Sequence, residues 1–409
     1  VAGAFWGVCT FESAGDHLCA CARVATADLQ PSAVSFALAS VASLIDAATP
    51  DDAFGVAIDP NGNVIVAMNV CLNNSSVSCD VSIRKFDPSG NQQWSYSIAT
   101  PVAEFAGHVA TDASGNIYAA GDTRGTIPGQ ASSGGDDAFL IKLDPAGNAL
   151  WTKQFGTASD DFARSVAVDP AGNVVVCGGA GAALPGGGGF FGATDGFVMK
   201  LDNAGTTLWT AQFGGGGSEF CSALAIDPSG GIFAVLDGSL RQVRKFTAAG
   251  AAVFTAGTGA QITGVAADAG GFSIVGFVSG STFQAQTIAG GNDAYIQRFP
   301  LAGGVALWTR LIGTTESEQA QAVSFTGNGL FMAGLTNGVL PGQTPGGAGD
   351  VFVRKYDLNG NAVWTNQFTS FGPADTYAFG VAHWNNRVYT AGSTSGPLPG
   401  ATHLGDSDG

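Results

Sequence analysis

Charge is scarce in this chain, and positive charge is scarcer. Only 12% of the 409 residues are charged, and 16 Lys and Arg stand against 32 Asp and Glu, a formal net charge of −16. A nucleic-acid binder or a protein docking on anionic lipid needs a basic surface, so the balance argues against both. Long apolar runs are also missing: no stretch of about 18 apolar residues occurs, and no transmembrane segment is expected. The chain starts at Val1 without a basic stretch and apolar run ahead of it, so a secretion signal removed earlier is expected. Catalytic signatures are missing as well. There is no G-x-S-x-G elbow and no H-E-x-x-H pair, and the glycine runs Gly186 to Gly189 and Gly214 to Gly217 lack the Lys-Ser/Thr of a phosphate loop.

What the chain has instead is glycine, 62 residues of it, and a pattern. From Asp137 to Gly179 two alternating apolar runs are joined by Asp144-Pro145-Ala146-Gly147-Asn148, and two more by Asp169-Pro170-Ala171-Gly172-Asn173. This reads as four short antiparallel strands with tight turns. The unit recurs along most of the chain, with fourth-strand aromatics at Trp94, Trp151, Trp209, Phe254, Trp308 and Trp364. A four-stranded unit repeated at that spacing predicts a β-propeller blade. First strands ending at Asp59, Asp112, Asp169, Asp227, Asp268, near Phe325 and near Trp384 predict an all-β, seven-bladed β-propeller of four-stranded antiparallel blades. The domains expected are a short irregular N-terminal arm, 1–32, and the propeller, 33–409.

The chain stops at Asp408-Gly409, where the last blade's third strand is due. N-terminal strands, around Val34 to Asp46, or residues past Gly409 are expected to complete that blade, since pairing removes the ring's open edges.

The blade pattern D-A-F-x-x-K-x-D-P-x-G-N-x-x-W-T-x-Q-F-G, then V-A-V-D-P-x-G-N-V-x-V-A-G and L-P-G, resembles the SBBP-type repeat of bacterial surface and secreted seven-bladed propellers. The L-P-G element stands at Leu184, Leu340 and Leu398, with Ile127-Pro128-Gly129 as a variant. The resemblance covers about residues 40 to 409 and implies an architecture, with almost no activity attached.

Seven cysteines are present. Cys71 and Cys79 flank a small polar loop between two strands and are the disulfide candidates, which would place the protein in an oxidising compartment: extracellular, cell surface or periplasm. Cys177 and Cys221 read as buried small apolar residues, with a bridge between neighbouring blades as the alternative. Cys9, His17, Cys19 and Cys21 offer a disulfide-pinned arm, with a metal site as the alternative. Among the histidines, His108 and His383 fall on first strands and are the channel candidates. No cofactor is expected. Acidic loops at Asp136, Asp137, Asp293, Asp406 and Asp408 are the places where calcium would bind. The function expected is a secreted or cell-surface binding and assembly module that meets a protein partner, another copy of itself or a glycan. The alternatives are an enzyme with a site at the channel mouth, glycan-active or a quinone- or metal-dependent oxidoreductase, and a multivalent carbohydrate-binding propeller.

Overall fold

The turn sequence builds the blades. In the computed structural model, which describes residues 23–26, 52–71, 79–344, 349–368, 376–385 and 387–394, each D-P-x-G-N element closes a hairpin. Asp59 shows the chemistry. Its Oδ1 accepts the N–H groups of Asn61 and Asn63, both at 2.9 Å, and Gly62 takes φ of 84°, a left-handed conformation that glycine adopts without steric cost.

Six four-stranded antiparallel sheets follow in chain order. Blade 1 consists of Asp52–Ile58, Val64–Cys71, Cys79–Phe86 and Gln92–Ile98, and blade 2 of Glu104–Thr111, Ile117–Thr123, Asp137–Leu143 and Ala149–Phe155. Blade 3 is Asp161–Val168, Val174–Ala180, Asp195–Leu201 and Thr207–Phe213. Blade 4 is Glu219–Ile226, Ile232–Gly238, Gln242–Phe246 and Ala252–Gly257. Blade 5 is Gln261–Ala267, Phe272–Ser279, Asn292–Phe299 and Trp308–Ile312, and blade 6 is Glu318–Thr326, Gly329–Thr336, Asp350–Asp357 and Ala362–Phe368. In every blade the chain runs from the innermost strand outward.

The expectation of seven four-stranded blades is corrected to six. The remaining sheet has three strands among the described residues: Thr376–Trp384, Arg387–Thr394 and, from the other end of the chain, Arg23–Thr26. Arg23 to Thr26 pair with Thr390 to Arg387. The strand that covers this edge thus comes from inside the stretch 1–32, and Val34 to Asp46 lie outside the described residues. The three-stranded sheet sits between blade 6 and blade 1. His383 Nδ1 lies 3.0 Å from Ser324 Oγ on one side, and Phe379 stacks on Phe54 at 5.4 Å on the other.

Blades cohere through apolar faces that neither could bury alone. Tyr118, Ala120 and Leu140 of blade 2 pack with Val174, Val176, Phe197 and Leu201 of blade 3. A polar latch adds to this at the rim. Trp94 Nε1 and Lys85 Nζ of blade 1 both donate to the Pro145 carbonyl of blade 2, each at 3.1 Å. Trp209 and Lys200 of blade 3 do the same at the Ala248 carbonyl of blade 4, at 3.2 and 2.9 Å. The lysine is held from behind by its own blade, Lys200 to Asp169 at 2.7 Å. The tryptophan face rests on the turn glycine of the next blade, where a methyl on Gly147 would come within 2.8 Å of the Trp94 ring. In blade 4 Phe254 keeps that packing against Gly303 and gives up the N–H bond.

Two disulfides are present. Cys71 bonds Cys79, its ladder neighbour, across the second and third strands of blade 1. For Cys177 and Cys221 the alternative of a bridge between blades replaces the apolar reading: they form a bond that ties the second strand of blade 3 to the innermost strand of blade 4. Among the described residues no helix is long and apolar enough to cross a membrane.

Candidate functional site

Both D-P-x-G-N hairpins of a blade lie at one end of the ring, so the L-P-G elements and the blade-to-blade connections lie at the other. On that second face the innermost strands begin, and each contains an irregularity near its start. Its pairing with the second strand skips one residue: Phe54, Gly107, Arg164, Ser222, Thr263, Gln321 and Phe379 in turn around the ring. A bulge leaves the extra residue out of the ladder and re-aims its side chain. Every one of these seven residues lines a central cavity of about 550 Å³. The repeat holds most positions constant and varies here. The result is one cation, two stacked aromatic rings, two hydroxyls and an amide facing a common space.

The surroundings give that ring its chemistry. Arg164 is exposed, lies 4.6 Å over the Phe162 ring and has its Nη1 3.5 Å from Asp122 Oδ1. Burial pushes the Asp122 carboxyl up to about 7, with Arg164 pulling it down and Asp136 adding to the rise. Phe162 meets Phe220 edge-on at 5.9 Å, and Tyr377, Phe379 and Phe54 form a continuous stack. Ser222 Oγ and His108 Nδ1 are buried without a hydrogen-bond partner among the described residues.

The structure separates the two histidines. His108 lines the cavity, and burial holds its pKa below the ordinary value, against a backbone contact with Val166, so the ring is neutral near pH 7. His383 stands between blades on Ser324, with its pKa lowered by burial and by Lys355. The neighbouring acids Asp136 and Asp137 also part company. Asp136 lies 3.5 Å from Arg124, whereas Asp137 is fully buried and accepts from Ser133 N and Gln154 Nε2 at 2.8 Å each. Asp293 is buried and accepts from Ala289 N at 3.0 Å. Cys9, His17, Cys19, Cys21, Asp406 and Asp408 lie outside the described residues. Among the described residues no group of three or more His, Cys, Asp or Glu is placed to hold a metal.

Sequence reasoning passed over the glutamine of Q-F-G. Gln212 Oε1 accepts the N–H of Leu184 at 2.8 Å, and its Nε2 donates to the Ala182 carbonyl at 2.9 Å and to Asp195 Oδ2 at 3.3 Å. Gln154 and Gln367 repeat this at Ile127 and Asp137 and at Leu340 and Asp350. The L-P-G, D-x-F and Q-F-G elements are thus one buried network that fixes the L-P-G loops against the outer strands of their own blades. The signal was there in the shared repeat of all three elements.

The SBBP β-propeller repeat family matches residues 150–179, from the fourth strand of blade 2 to the second strand of blade 3. The chain is 29% identical over 140 residues to the regulatory protein FlaEY of Caulobacter vibrioides, across 29% of this chain and 15% of that protein. It is 28% identical over 130 residues to the uncharacterized WD repeat-containing protein L264 of Acanthamoeba polyphaga mimivirus, across 29% of this chain and 9% of that one. The chain therefore spans under a sixth of either relative. Among solved structures it is similar to the Neurospora crassa Pan2 WD40 domain (TM-score 0.49, 11% identity, 83% of this chain and 88% of that one). BamB from Moraxella catarrhalis is a further likeness, with TM-score 0.42, 12% identity, and 83% and 85% covered. With the family's repeat matched across the join of two blades and the same strand and turn pattern built six times around one ring, the chain is an SBBP-type β-propeller repeat protein.

Proposed function

We propose that this propeller is a binding and assembly module, without a catalytic step of its own, that grips a segment of a protein partner at the mouth of its channel. The observation that carries the reading is the bulge ring: the residue skipped in each of the seven sheets, of six different types around the ring, lines the cavity. Rigid repeats that vary at one position build a recognition surface, because the scaffold keeps the contact groups in place. Arg164 suits an acidic side chain, and the Phe54–Phe379 stack suits an apolar or aromatic one. Two disulfides support a place outside the reducing cytosol, secreted or at a cell surface.

Selection of a random peptide display library on the immobilised protein tests this. The expected winners carry an acidic residue close to an aromatic one, and Arg164→Ala and Phe379→Ala each weaken them at least about tenfold, the loss of one good contact. Winners that bind both variants as tightly as the parent would remove the channel mouth from the account.

A further inference from the structure

Three blade interfaces each bury a pair of acids. Asp137 of blade 2 is paired with Asp161 of blade 3 and Asp195 of blade 3 with Glu219 of blade 4, and Asp293 of blade 5 and Glu318 of blade 6 occupy the same two positions of the repeat. All six are at most 1% exposed. The second acid of each pair is well supplied with donors. Asp161 Oδ2 accepts from Thr157 N and Oγ1, Glu219 from Gly215 N and Ser239 Oγ, and Glu318 from Thr314 N, Thr314 Oγ1 and Thr336 Oγ1. The first acid is half supplied. In all three pairs Oδ2 has donors, while Oδ1 is buried with no hydrogen-bond partner among the described residues.

The orphaned oxygens point the same way. A methyl on Gly156 would come within 2.5 Å of Asp137 Oδ1 and 2.7 Å of Asp161 Oδ2, so the two carboxylates face one another across that glycine. A methyl on Gly214 would overlap Asp195 Oδ1 and lie 3.2 Å from Glu219 Oε2, and one on Gly313 would overlap the Asp293 carboxylate. The interface between blades 1 and 2 supplies the contrast. Ala99 replaces the glycine there, and Asp80, in the position of Asp137, is only partly buried while Glu104 remains fully so. The glycine thus goes with the complete buried pair.

Two ionised carboxylates out of water and facing each other need a positive partner. The described cations nearby are committed elsewhere, Arg124 to Asp136, and Lys200 to Asp169 and the Ala248 carbonyl. We propose that each of the three interfaces binds one calcium ion between its paired carboxylates, with backbone carbonyls and water completing the oxygen shell. A dication balances both charges, and calcium accepts the irregular all-oxygen shells that magnesium rejects.

The test uses the full chain, stripped with EGTA and then equilibrated with calcium chloride at pH 7, with bound metal read by mass spectrometry of the digested protein. The result expected is three calcium ions per chain and a melting temperature several degrees above that in EGTA. Asp195→Asn should lower the count to two, and Asp80→Asn should leave it at three. If Asp195→Asn does not fold, the parent's stoichiometry still decides. No retained calcium with an unchanged melting temperature overturns the proposal. So does a melting temperature indifferent to calcium that falls from pH 5 to pH 8, because the pairs would then be held by a shared proton.

Discussion

Replacing Cys177 and Cys221 together by alanine measures what one covalent tie between blades does for the ring. The bond closes a loop with a sequence separation of 44, and the Cys71–Cys79 bond one of 8. Loop-closure entropy in the unfolded chain then assigns about 4 kcal/mol to the first and about 2.5 kcal/mol to the second. Unfolding 409 residues carries an entropy of about 0.9 kcal/mol per kelvin at the per-residue average. The expected fall in melting temperature is therefore about 5 °C for the Cys177/Cys221 double variant and about 3 °C for Cys71/Cys79. Both Cys177 and Cys221 are wholly buried, so the lost sulfur atoms add to the larger figure. Calorimetry on the two double variants and the parent checks the order. A Cys71/Cys79 variant that melts at or below the Cys177/Cys221 variant would refute the chain-entropy argument.

Trp209→Phe should cost about 1 kcal/mol, the N–H bond to the Ala248 carbonyl, because Phe254 already keeps the same packing in blade 4; a urea midpoint shift reads it. Gly147→Ala should cost more, about 2 kcal/mol or above, since it combines φ of 90° with a clash against the Trp94 ring. Asp122 bears on binding: its carboxyl is pushed up to about 7 by burial, so below that pH it loses its charge and frees Arg164. Affinity for an acidic peptide should rise from pH 8 to pH 6, and Asp122→Asn should flatten the profile. Burial pushes Asp59 and Asp169 up, but Asn63 with Lys85, and Lys200 with Asn173, outweigh it and hold both below the ordinary value. Their stabilisation is present above the unfolded value of about 3.9 and is lost as pH falls through the lowered folded values, so acid unfolding should sharpen below pH 4 and be blunted in Lys200→Met.

The strands and their turns could be read in the sequence because each D-P-x-G-N element states its own conformation: a carboxylate that caps backbone N–H groups and a glycine that turns left-handed. The Trp series could be recognised as part of the blade because it recurs once in each repeat. Other features depend on where separate parts of the chain meet. Arg23 to Thr26 look like no strand, having none of the repeat's punctuation, and become one only because Arg387–Thr394 presents an open edge. The bulges are a one-residue slip in pairing, set by how innermost strands crowd around an axis, and no residue type marks them: the slipped position holds Phe, Gly, Arg, Ser, Thr and Gln. That is why His108 could be placed at the channel from its strand while Arg164, the stronger candidate, was passed over. Nothing beside Gly156 and Gly214 in the sequence marks them as the places where carboxylates approach, because the acids belong to two different blades.

The rim latch gives the ring a direction. Blades 1, 2 and 3 each reach forward with a tryptophan and a lysine to a turn carbonyl and a bare glycine of the next blade, so blades 2 and 3 carry both halves of the joint on opposite edges. A duplicated blade would arrive with a socket for its predecessor and a plug for its successor, and would splice between any two others without a matching change elsewhere. A blade grafted in reverse order would find plug facing plug. Growth by tandem copying is thereby the one route that costs no new interface, and a chain built this way can record its history as the few places, such as Phe254, where a plug has lost its hydrogen bond and kept its shape.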